Sequence, residues 1–123
     1  MASRGQMTGM QGVFLVAAEL SARGFIVSTT SRNAIGADLL VTDADCQRTW
    51  SVQVKTNRKS ASFWLVGEKA RKLMSRSHVY VLVNLRPADG KHEFYVLGSR
   101  ALAKAMQSKT HKLNVWHFVN RAE

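Results

Sequence analysis

Little in this chain of 123 residues can cross-link it, anchor it or stiffen it. Cys46 is the only cysteine, which excludes an intrachain disulfide and a cysteine-based zinc site and suits a reducing compartment. There is one proline, no internal repeat and no low-complexity tract, a composition that argues against disorder. Apolar runs last only a few residues, and the start of the chain has no basic segment followed by an apolar stretch. Neither a membrane-spanning helix nor a signal peptide is therefore expected, and a cytoplasmic location is. The four histidines lack tight ligand spacing, and there is no glycine-rich phosphate loop and no Ser/His/Asp signature. Acidic residues are scarce too: eight Asp and Glu against eighteen Lys and Arg leave a formal charge of +10. A field of that sign attracts polyanions, nucleic acid foremost, and makes copies of the chain repel one another.

Hydrophobic residues make up 46% and charged residues 21%, enough apolar material for one core in a chain of single-domain length. Residues 1–9 are small, polar and flexible and read as a loose N-terminus, with residues 10–123 forming one domain. From Met10 to Arg23, Met10, Val13, Phe14, Ala17 and Leu20 recur at helical spacing, and Gly24 is placed to stop that helix. Strands are expected at 25–28, 39–41 and 50–55, the third alternating Trp50, Val52 and Val54 with Ser51, Gln53 and Lys55, so that the three form a meander. Helix formers occupy 68–75, and 79–85 is apolar enough for a central strand covered on both faces. Another strand is expected at 93–97 and a helix at 99–107 capped by Ser99, while 114–119 suits strand and helix equally. The order predicts an α/β (α+β) fold, a mixed sheet of about five strands flanked by helices.

Three polar positions resist explanation by the core pattern. Gln53 and Lys55 share one face of their strand while Val52 and Val54 face the core. Asp38 opens an apolar strand, where aspartate is a poor β-former and its carboxylate is costly to bury without a partner such as a metal or a lysine. If the two strands are neighbours, about 4.8 Å apart, Asp38, Gln53 and Lys55 converge. Hydrolysis of a phosphodiester calls for such a set: hard oxygen ligands for a divalent cation, and a cationic side chain beside the attacking water. Glu19 lies at the border of the helix's apolar stripe and suits a residue leaning over the sheet and a solvated glutamate equally.

Glu19, Gly24-Phe25, the run from Gly36 to Val41 with its Asp38, and Val52-Gln53-Val54-Lys55-Thr56 together resemble the PD-(D/E)XK nuclease superfamily, and most of all archaeal Holliday-junction resolvases. The resemblance covers residues 12–59 closely. It implies a restriction-endonuclease-like core in which Asp38, Gln53, Lys55 and Glu19 are catalytic. Mg²⁺ or Mn²⁺ would be bound by Asp38, Gln53, the carbonyl of Val54 and Glu19, with Lys55 orienting the attacking water. It further implies DNA, branched DNA included, as substrate, and a homodimer. The chain departs from the family at Gln53, where many members have glutamate, so the alternative is a catalytically weak or inactive nucleic-acid-binding module. Ser31 and Arg32 resemble the loop that reaches the scissile phosphate. Arg58, Lys59, Lys69, Arg71 and Lys72 form a basic track for phosphates or a merely solvated surface. Trp64, between Phe63 and Leu65, and likewise Trp50 and Trp116, read as core aromatics. Val115, Trp116 and Phe118 are candidates for a dimer contact.

Overall fold

The chain begins with a helix that starts before any apolar periodicity does. In the computed structural model, which describes residues 2–31, 36–111 and 114–121 (main chain only at 110–111 and 114–116), helix α1 runs Arg4–Ala22. Residues 4–9 are therefore helical and not a loose terminus. A capping box accounts for this: Gln6 N donates to Ser3 Oγ at 3.2 Å and Ser3 N donates to Gln6 Oε1 at 2.8 Å. Its first turn is solvent-exposed, so hydrophobic spacing carried no trace of it. Gly24, at φ 96°, ends the helix as expected.

Strands β1 (Ile26–Thr29), β2 (Leu39–Thr42) and β3 (Thr49–Asn57) form the antiparallel meander. β3 then pairs in parallel with a strand at His78–Asn84, which pairs antiparallel with one at Glu93–Gly98. After β3 and before these two come a three-residue strand β4 (Phe63–Leu65) and a 3₁₀ turn, Glu68–Arg71, so the two later strands are β5 and β6. The order of the mixed five-stranded sheet is β1-β2-β3-β5-β6. Helix α2 (Ser99–Ala105) follows, then β7 (Gln107–His111) and β8 (Asn114–Asn120), which resolves the final segment as strand. β4, β8 and β7 make a second, three-stranded sheet that sequence periodicity did not reveal.

β5 explains the architecture. Its Val81 and Val83 join Val16, Leu39, Val41, Val52 and Val54 in a core under α1. The alternate Tyr80 and Leu82 join Trp64, Val66, Ala70, Leu102 and Val119 on the opposite face, beneath the small sheet and α2. The central sheet is thus sandwiched, and β5 is apolar on both sides for that reason. Trp64 is core, as its context implied, with Nε1 donating to the Val83 carbonyl at 2.9 Å.

Two expected helical features give way to one contact. The helix at 68–75 shrinks to the 3₁₀ turn because Ser99 Oγ holds both Ser75 main-chain groups, accepting from N at 2.9 Å and donating to O at 2.7 Å. Ser99 is fully buried in that role and so caps nothing; Gly98 occupies the N-cap position of α2. Among the described residues no helix is long and apolar enough to cross a membrane.

Candidate functional site

β2 is shorter than β3, and the notch this leaves is where Asp38 sits. The register Leu39↔Val52 continues one residue outward, with Asp38 N donating to Val52 O at 2.8 Å, which sets Asp38 beside Gln53. The loop entering β2 is held from both sides. Thr30 Oγ1 donates to Ala37 O at 2.7 Å, and Thr30 N donates to Asp38 O at 3.0 Å. Gly36 adopts φ 83°, and a side chain there would meet Leu73 Cδ2 at 2.5 Å, so glycine answers both a left-handed turn and a close approach.

The Asp38 carboxylate accepts two hydrogen bonds on Oδ2, from Val54 N at 2.8 Å and from Gln53 Nε2 at 3.0 Å. The convergence expected of Asp38 and Gln53 is therefore present. Lys55 lies two residues further along the same face, half-buried and in register with Leu82 of β5. It makes no ion pair with Asp38 within 4.0 Å. The main-chain groups of Val54 face the side vacated by β2, as its N–H bond to Asp38 requires, so its carbonyl is aimed at the same notch.

Glu19 is not part of this assembly. Its carboxylate accepts from Arg23 Nε at 3.0 Å in an exposed i,i+4 pair, with side chains 48% and 68% accessible. α1 crosses the notch with its N-terminal half instead. Gln6, Met10, Val13 and Phe14 line a groove of about 510 Å³ whose other wall is Thr29, Thr30, Ser31, Asp38, Gln53 and Val54. At 1.5 Å rise per residue, Glu19 stands roughly 7 Å beyond Phe14 along the helix axis, the wrong end for a ligand. Asp38 is thus the one carboxylate of the site, and the described residues contain no group of three or more Asp, Glu, His or Cys able to hold a metal.

Of the basic and polar positions expected to meet phosphates, Ser31 lines the groove and Arg32 lies outside the described residues. Arg58, Lys59, Lys69 and Lys72 are exposed and line no part of it. Arg71 is engaged elsewhere, donating to Ser108 Oγ at 2.7 Å and so tying the 3₁₀ turn to β7.

Sequence reading missed Gln6 and Thr30, which helix capping and loop bonding place at the site. It also missed a polar pair next to it: Ser51 Oγ and His78 Nδ1 are 2.7 Å apart on the same sheet face. His78 is buried, its Nε2 finds no partner, and burial holds its pKa below the usual 6.5. Tyr80, in register with Gln53, has its pKa raised by burial.

Comparison of the chain with protein-family models, with curated proteins and with solved structures finds no match.

Proposed function

We propose that this protein is a metal-dependent phosphodiesterase of nucleic acid, with DNA the preferred polyanion and a restriction-endonuclease-like core of the PD-(D/E)XK kind. The observation that carries the reading is the Asp38 carboxylate at the head of β2, fastened to Gln53 and Val54 with Lys55 on the same strand face. Asp38, the Gln53 amide oxygen and the Val54 carbonyl are hard oxygen donors, and Mg²⁺ is commonly held by one or two carboxylates plus substrate phosphates. The donor set fits that lower limit, with Mn²⁺ as the alternative ion. The bound cation would polarise the phosphate and acidify a water. Asp38 would hold that cation and supply the protein's only negative charge to it. Gln53 must turn its amide so that oxygen, not nitrogen, faces inward. Lys55, unpaired with Asp38, would steady the attacking water and the developing negative charge on phosphate. Ser31 and Thr30 would bound the phosphate's path along the groove.

A second reading has its own support: a nucleic-acid-binding module that keeps the site's shape and binds without cutting. It draws on the single carboxylate and on Glu19 being paired with Arg23 at the far end of α1. A cleavage screen on linear, circular and four-way DNA in Mg²⁺ and Mn²⁺ separates the two. Cleavage that Lys55→Ala and Asp38→Asn both abolish supports hydrolysis, whereas salt-dependent binding with no product on any substrate selects the module. Homodimerisation belongs to the first reading, since paired cuts need two sites, and sedimentation showing a monomer on a four-way junction would remove it.

A further inference from the structure

The small sheet has two unlike faces. In the register Phe63↔Asn120, Trp64↔Val119, Leu65↔Phe118, the pair Trp64 and Val119 is buried against the central sheet. Alternation sends Phe63, Leu65, Phe118 and Asn120 to the other face. Phe63 and Leu65 are 45% and 47% exposed there, and the Phe63 and Phe118 rings meet edge to face at 6.0 Å. On β7, Gln107 stands opposite Phe118, so Lys109 falls on the same outward face. β4 is also tied to the strand that carries Lys55: Asn57, two residues beyond it, donates from Nδ2 to the Phe63 carbonyl at 2.8 Å, and the intervening loop carries Arg58 and Lys59.

We infer that the outward face of the β4-β8-β7 sheet is a platform for single-stranded nucleic acid, with bases stacking on Phe63 and Phe118 and phosphates drawn to Lys109 and Lys59. Charge selects this occupant. The chain carries +10, so a second copy would bring an equal repelling charge to an apolar face that already holds a lysine, whereas a polyanion is attracted. An exposed Phe63 ring packed against a half-buried Phe118, with Lys109 on the same face, suits unpaired bases, because every base offers a π-face and stacking needs no particular sequence. The inference goes beyond hydrolysis at Asp38 and stands without it; where both hold, the platform would take the unpaired segment of a branched substrate.

The test is fluorescence anisotropy of labelled oligothymidylate, oligouridylate and a blunt DNA duplex, in EDTA so that no metal contributes. Phe63→Ala should weaken single-strand binding roughly five- to hundredfold while duplex affinity changes less than about twofold, and Phe63→Trp should restore it. Lys109→Glu should weaken it independently and make it less steeply salt-dependent. Both single strands responding alike indicates stacking alone; one responding shows that the platform also discriminates by the 2′-hydroxyl or the thymine methyl, and either result supports the inference. Single-strand affinity unchanged in Phe63→Ala overturns it, as does a wild-type dimer that Phe63→Ala converts to monomer. Cleavage is read with Mg²⁺ or Mn²⁺ and platform binding in EDTA, so failure of the platform and failure of the hydrolytic reading are separately visible.

Discussion

The side-chain amide of Gln53 donates to Asp38 Oδ2 at 3.0 Å, so an amide on β3 and a carboxylate at the head of β2 satisfy one another across the strand pair. Gln53→Glu replaces that donor with a second carboxylate. The variant should lose about 1 to 3 kcal/mol at neutral pH, from the lost bond and the new repulsion, and should gain more thermal stability than wild type when Mg²⁺ or Mn²⁺ is added. Thermal melts with and without metal check this; an unchanged metal response takes Gln53 out of the ligand set.

Asp38 also closes the main chain of β3 through its bond to Val54 N. Asp38→Ala should therefore cost about 1 to 3 kcal/mol by stranding that N–H, whereas Asp38→Asn, which keeps an acceptor, should cost less. Both should abolish cleavage. Urea unfolding read beside activity distinguishes the two effects, and equal stability losses would show that the bond to Val54 contributes little.

Glu19 provides the contrasting case. Glu19→Ala removes an exposed i,i+4 pair with Arg23, worth about 0.3 to 0.5 kcal/mol, and should leave cleavage and nucleic-acid affinity unchanged. A tenfold fall in activity would return Glu19 to the site.

Gly12 lies where α1 crosses β3, and a Cβ there would overlap Thr56 Oγ1 and crowd its Cβ. Gly12→Ala should cost about 1 to 3 kcal/mol, with part of the loss recovered on adding Thr56→Ala. Since Thr56 Oγ1 is buried without a partner, Thr56→Val alone should be neutral or stabilising. Chemical denaturation of the four proteins tests both statements.

His78 sets a pH dependence. Its folded pKa lies below 6.5 because burial disfavours the imidazolium, so the unfolded chain takes up the proton first as pH falls. The stability due to neutral His78 is complete above the unfolded value and is lost as pH drops through the folded one. Urea midpoints should decline from neutral to mildly acidic pH, and less steeply in His78→Leu; parallel profiles would assign the decline to other groups.

Period-two alternation along 50–55, the exceptional aspartate at 38 and the surplus of basic charge are local or additive properties, and the sequence by itself determined them. That is why the pairing of Asp38 with Gln53 and the double burial of β5 could be foreseen. Tertiary structure decided what depended on distant partners. Ser99 gripping Ser75, twenty-four residues away, converted an expected helix into a 3₁₀ turn. The second sheet needed β4, from the middle of the chain, and β8, more than fifty residues on, brought together. Glu19 fell outside the site because α1 lies with its N-terminal half over the notch, leaving Gln6, Met10 and Val13 where a carboxylate was expected. A periodic pattern specifies which face of a helix is buried, but where the helix lies along the sheet is set by contacts such as Gly12 on Thr56, which no periodicity encodes.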